Sequence, residues 1–167
     1  MESAQKTFDQ GVELRLKGNE AFKNQDFKQA LQHYYSALLY LKAVGGREFE
    51  SQFKAKSQEQ LVMIYNNMCA VFARQDNWER VLFYAKKANE LDPNNLKSKF
   101  RMGQAHIRLE NIEEAKALLE EVLKQNPNDG LVKQELAKVS VANKKMDDRE
   151  KMIYRAMMSK MAYGQKD

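Results

Sequence analysis

The stretch "KFRMGQAHIRLENIEEAKALLEEVLKQNPND", Lys99 to Asp129, decides the fold because it is a copy of another. Laid over "YNNMCAVFARQDNWERVLFYAKKANELDPNN", Tyr65 to Asn95, it sets Pro127 against Pro93 and Gly103 against Cys69, both 34 residues apart. A third copy, "LRLKGNEAFKNQDFKQALQHYYSAL" from Leu14 to Leu38, joins the register. Ala30, Val81 and Ala115 share one position in it, and Phe27, Trp78 and Ile112 share another. Repetition at such a period marks stacked supersecondary units. In each copy a polar break, "NQD", "RQDN" or "LEN", turns the chain between two antiparallel helices. A small residue, Gly18, Cys69 or Gly103, falls where the two helices approach closely. Proline after "ELD" or "KQN" ends the second helix, because it cannot continue the hydrogen-bond ladder. One helix pair cannot bury its apolar face alone, so neighbouring pairs must stack.

The totals agree with an all-α fold. The 167 residues suffice for one domain with a real core; proline is scarce, charge is abundant and β-branched runs are absent. No segment approaches the ~18 apolar residues of a membrane span. The opening "MESAQKTFDQGVELR" has no apolar core for a signal peptide. Cys69 is the only cysteine, which excludes disulfide scaffolds and cysteine-based zinc sites. A cytoplasmic protein is expected. The formal net charge of +5 leans toward acidic partners without identifying one.

The units run over about 11–44, 62–95 and 96–129, so the repeat domain occupies 1–130. Gly18 and Cys69 lie 51 residues apart, so an insert of 17 residues, about 45–61, separates the first two units. Gly45 and Gly46 predict a break there, with helix on either side. After Gly130 no helix breaker occurs for more than 30 residues, which predicts one long helix over 131–167. Its Val132, Leu136 and Val139 suit a cap on the last repeat, and the charged "NKKMDDRE" carries it off the domain surface.

The first helix of each pair lines the concave side of such a stack. In "NLKSKFRMGQAH", Lys97 and Arg101 lie about 40° apart on the helix, whereas Lys99 points about 200° away from Lys97. Lys99 therefore turns to the packing side, its stem covering apolar surface while the ammonium reaches water. Arg15 and Asn19 share the corresponding face of the first unit, and Asn67 takes that place in the second. Leu14, Phe22, Tyr65, Phe72 and Phe100 fall on the core side.

This register resembles the tetratricopeptide repeat, with a small residue near its eighth position and proline near its thirty-second. That resemblance implies three helix–turn–helix repeats stacked as a right-handed superhelix. The first unit departs from it in lacking the proline. Within the family, Arg15, Asn19, Asn67, Lys97 and Arg101 look like the two-carboxylate clamp of co-chaperones, which binds the C-terminal Glu-Glu-Val-Asp tail of Hsp90 or Hsp70. Four of the five match the family pattern in identity; Arg15 stands where the family has lysine. The chemistry suits them, because ammonium, guanidinium and amide groups donate to paired carboxylates without a metal. "YNNMCAVF", "NLKSKFRMGQAH" and "REKMIYRAMMSKMAY" are similar to the repeat domain of the large FK506-binding immunophilins and to the stand-alone tetratricopeptide repeat protein 9 group. An isomerase domain does not fit before Gly11, and a start at Met1 favours a stand-alone adaptor over a fragment of an immunophilin.

Ile153, Met157 and Met161 make an apolar stripe in the tail, flanked by Arg149, Lys151, Arg155 and Lys160. Such a basic amphipathic helix suits packing on the last repeat, a homodimer contact, or a calmodulin-type target within residues 146–163. No enzyme is expected. His33 and His106 sit on different repeats, His106 in a packing position, and the chain has no phosphate-cradling loop, cofactor motif or metal set. Nucleic-acid binding is disfavoured because the basic residues are interspersed with acids and lack aromatic interleaving.

Overall fold

The computed structural model describes residues 2–44 and 50–164 and contains seven helices among them: α1 (Glu2–Lys23), α2 (Phe27–Ala43), α3 (Glu50–Arg74), α4 (Trp78–Leu91), α5 (Leu96–Arg108), α6 (Ile112–Gln125) and α7 (Gly130–Gly164). Consecutive helices pack on one another along the whole chain. The odd-numbered helices also meet, α1 with α3, α3 with α5 and α5 with α7. Among the described residues the even-numbered backbones do not approach each other, and α2 and α4 meet only through long side chains such as Tyr35 and Tyr84. An inner layer that closes up and an outer layer that splays bend the stack, with the odd helices on its concave side.

The three turns within the pairs are built alike. Gln25, Asp76 and Glu110 occupy one register position and adopt left-handed backbone, with φ of 59°, 55° and 63°. The following residue closes a six-residue ring onto the preceding helix: Asp26 N–H donates to Ala21 O at 2.9 Å, Asn77 to Phe72 O at 2.9 Å, and Asn111 to His106 O at 2.8 Å. That same residue then starts the next helix. Asp26 accepts from Gln29 N–H and Asn77 from Arg80 N–H. Asn111 makes no such bond, and its amide lies 3.2 Å from His106 Nδ1 instead. A non-glycine residue pays about 1–2 kcal/mol in this conformation. Exposed Gln25 is the simplest place to remove that strain. Gln25→Gly should stabilise the fold by about 0.5–1 kcal/mol, after the greater freedom of glycine in the unfolded chain is subtracted, read as a higher urea midpoint at unchanged slope.

The close approaches fall where the small residues do. A β-carbon on Gly18 would stand 2.5 Å from Tyr34 Cε1, and one on Gly103 would stand 2.7 Å from Leu119 Cγ. In the second pair Cys69 Sγ sits 3.4 Å from Val81 O. Tyr65 and Phe72 are buried, while Leu14, Phe22 and Phe100 pack half-buried against the core.

The predicted break at Gly45 and Gly46 lies outside the described residues. Around it, the insert lengthens existing helices. α3 spans 25 residues against 13 in its counterpart α5. Its added turns bury Phe53, Ser57 and Leu61. α1 reaches back to Glu2, well before the expected start of the first unit, and meets this extension where Phe8 and Phe53 lie with ring centroids 5.8 Å apart; on its other partner, α2, Gly11 abuts Leu41.

Lys99 faces the packing side, but its ammonium does not end in open water. It meets Glu121 Oε1 on α6 at 2.5 Å, with the Lys99 side chain 10% exposed. The opposed carboxylate resolves the charge that burial of the stem would otherwise strand. α7 takes the place of a further inner helix. Val132 and Val139 are buried beneath it with half-buried Leu136, and from Lys144 to Gly164 every residue is exposed.

Candidate functional site

Arg15, Asn19, Asn67, Lys97 and Arg101 all lie on α1, α3 and α5, the helices of the inner layer. The amides are in direct contact: Asn67 Nδ2 donates to Asn19 Oδ1 at 2.9 Å. Tyr34, from the outer helix α2, donates its hydroxyl to the same oxygen at 2.6 Å. Asn19 Oδ1 is thereby doubly engaged, and nothing among the described residues accepts from Asn19 Nδ2. Tyr34 is 1% exposed, and burial pushes its hydroxyl up to about 12, so it remains a donor through the neutral range. The neighbouring Asn66 has a different task, donating to Asn95 Oδ1, which caps α5 by accepting from Ser98 N–H.

Each arginine is held by a glutamine. Arg15 Nε donates to Gln60 Oε1 at 2.7 Å, and Gln60 belongs to the lengthened part of α3. Arg101 Nη1 donates to Gln104 Oε1 at 3.0 Å. Lys97 is exposed and no described side chain pairs with its ammonium. Burial lowers the pKa of Arg101, opposed by Cys69 and Glu135. Burial pushes the Cys69 thiol up to about 12, so that thiol is uncharged at neutral pH. Arg101 stays protonated regardless. The inner-layer helices thus carry three cations and two amides, with the Asn19 amide oxygen engaged by Asn67 and Tyr34.

Four supporting residues were not singled out from the sequence: Tyr34, Gln60, Gln104 and Glu135. Gln104 was accessible in principle, three residues from Arg101 on the same helical face. The others come from different helices and carry no local signal. His106 is buried as a packing residue, with its pKa lowered by desolvation. Among the described residues no group of three or more His, Cys, Asp and Glu is placed to hold a metal.

A family model of the tetratricopeptide repeat matches residues 72–148. The chain has the fold of a tetratricopeptide repeat domain. It is 29% identical to human peptidyl-prolyl cis-trans isomerase FKBP4 over 164 residues, which is 96% of this chain and 34% of that protein. The repeat domain thus spans about a third of the length of the curated relatives it matches. In fold it is similar to the C-terminal TPR-containing domain of an FK506-binding protein from Plasmodium falciparum, with a TM-score of 0.75 at 21% identity, covering 89% of this chain and 95% of that one. It is similar too to two repeat domains of RPAP3. The first, described for Spaghetti (RPAP3), is bound to the HSP90 peptide SRMEEVD (TM-score 0.64, 24% identity, 80% of this chain and 93% of that one). The second, from human RPAP3, is in complex with the HSP70 peptide SGPTIEEVD (TM-score 0.64, 21% identity, 80% and 98%). Among the described residues, no helix of this repeat domain is long and apolar enough to cross a membrane.

Proposed function

We propose that this chain is a non-enzymatic, cytoplasmic adaptor or co-chaperone domain whose concave groove binds the acidic EEVD-type C-terminal tail of Hsp90 or Hsp70 through a two-carboxylate clamp. The observation that carries this is the doubly engaged Asn19 oxygen. It leaves the Asn19 amide nitrogen as a donor on the same inner layer of helices as Lys97, whose ammonium no described side chain pairs with. A peptide's last residue, when it is aspartate, offers a main-chain and a side-chain carboxylate a few ångströms apart. Arg15, Asn19 and Asn67 would take one of them, and Lys97 with Arg101 the other. The relatives support the reading, since two similar domains are described with peptides ending in EEVD.

Calorimetry with a peptide ending in Glu-Glu-Val-Asp tests it. Each charge-assisted bond contributes about 1.5–3 kcal/mol, which predicts binding in the micromolar range. Amidating the C-terminus removes one carboxylate and should abolish measurable binding. Equal binding of the amidated peptide would refute the clamp. The second reading is self-association or calmodulin capture through the Met-rich helix. It is favoured by Ile153, Met157 and Met161, each about 60% exposed on α7. In that case the peptide shows no heat, and sedimentation of the chain depends on residues 146–163.

A further inference from the structure

We infer that Glu135, on the C-terminal helix and outside the groove, is a positioning residue for the Arg101 anchor, so that docking of α7 and engagement of the tail carboxylate are coupled. This deepens the peptide-binding reading above and rests on it.

The connection is a relay of consistent polarity. Arg101 Nη1 donates to Gln104 Oε1 at 3.0 Å, and Gln104 Nε2 donates to Glu135 Oε1 at 3.2 Å. Because Gln104 is accepting at one end, its other end must donate, so a carboxylate at position 135 fixes which way the amide points. A side chain accepting at Gln104 in turn fixes one edge of the guanidinium. Glu135 is 5% exposed, unusual for a carboxylate. It is held by Lys138 Nζ, 3.0 Å from Oε1, and by Arg108 Nη1, 3.8 Å from Oε2. Oε2 is buried and accepts no hydrogen bond. Arg101, Gln104 and Arg108 share one face of α5, which meets α7 along this seam. A buried carboxylate facing two cations and one amide is more than apolar docking of α7 needs, since Val132 and Val139 already supply that.

Two consequences distinguish positioning from a merely structural ion pair. Arg101 should be ordered before the peptide arrives, since a fork held at one edge loses less freedom on binding. By linkage, a peptide that favours the ordered Arg101 must also favour docked α7.

Three variants separate the roles. Glu135→Gln removes the charge and keeps the shape. Gln104→Leu cuts the relay while leaving Glu135 with Lys138 and Arg108. Lys138→Ala removes a second donor to Glu135 Oε1 while leaving the Arg101–Gln104–Glu135 hydrogen bonds in place. Affinity for the free-acid Glu-Glu-Val-Asp peptide should fall about 5-fold or more in the first two and stay within about twofold in Lys138→Ala. In the peptide-free protein, the side-chain nitrogen resonances of Arg101 should report restricted guanidinium rotation, released in Glu135→Gln and Gln104→Leu alone. Saturating peptide should slow amide exchange over residues 131–142 in the wild type and not in Gln104→Leu. Unchanged guanidinium rotation in both relay variants overturns the inference, as does an equal affinity loss in Lys138→Ala. If Glu135→Gln fails to fold, Gln104→Leu carries the decision. A wild type that binds no peptide overturns the peptide reading and with it the coupling, while the guanidinium signal still decides whether Glu135 positions Arg101.

Discussion

Arg101→Ala should weaken binding of an EEVD-ending peptide about 100-fold and Lys97→Ala about 10-fold, with only the first lowering the melting temperature. A charge-assisted hydrogen bond of about 1.5–3 kcal/mol corresponds to roughly 10- to 150-fold in affinity. The two residues belong at opposite ends of that range. Lys97 is exposed and pairs with no described side chain, so its ammonium is well hydrated and its long stem loses rotamer freedom on binding. Arg101 is half-buried, already held by Gln104, and offers a planar fork to a planar carboxylate. Its removal also strips a cation from the surroundings of buried Glu135, which costs stability in the absence of any peptide. Calorimetry and thermal melts on the same samples read both effects. Unchanged affinity in Arg101→Ala would eliminate the clamp, and a larger loss in Lys97→Ala would eliminate the preorganisation argument while leaving the clamp standing.

The 34-residue register made the fold legible, because the residues that define it act locally. Gly18, Cys69 and Gly103 mark contacts within a helix pair, and Pro93 and Pro127 mark helix ends. The left-handed residues escaped notice since Gln25 and Glu110 are not usual occupants of that conformation, and Asp76 alone is of a type enriched there. What made the turns readable was the polar break in each copy, "NQD", "RQDN" or "LEN". The insert could be located but not built: its extension of α3 is stabilised by Phe8 on α1, a partner 45 residues away that no local pattern links to Phe53. The five candidate groove residues were placed by register and family likeness. The side chains behind them were invisible for the same reason as Phe8. Tyr34 reaches its partner on the other helix of its own pair, and Gln60 and Glu135 reach theirs on other pairs, all at separations of 15 or more residues. Lys99 shows the converse limit, since periodicity gave its direction but not Glu121, the residue that receives its charge.

Gly18→Val should destabilise the fold by about 2–4 kcal/mol and impair peptide binding in whatever fraction stays folded. Two effects compete at this position. Replacing a mid-helix glycine gains up to about 1 kcal/mol in helix propensity, less for a β-branched residue. Against it stands the Tyr34 ring, with Cε1 and Cδ1 at 2.5 and 2.6 Å from where a β-carbon would lie. Overpacking a filled core costs about 1–3 kcal/mol when the neighbour can shift. Tyr34 cannot shift freely, because it is 1% exposed and its hydroxyl is fixed on Asn19 Oδ1 at 2.6 Å. Moving the ring breaks that bond, releases Asn19 to rotate, and removes the constraint that turns its amide donor toward the groove. The steric and functional consequences therefore arise from one side chain. Gly130→Ala is the matched control, since nothing lies within 4 Å of its would-be β-carbon, and it should leave both stability and binding near wild type. For a chain of this size each 1 kcal/mol moves the melting temperature by about 2–4 °C, so the loss in Gly18→Val is readily measured. Retained stability there would mean that α1 and α2 do not pack as closely as the Gly18–Tyr34 contact requires. Retained stability together with lost binding would place the relaxation in Tyr34, and a Tyr34→Phe variant with the same binding defect would confirm that the hydroxyl, not the ring, sets Asn19.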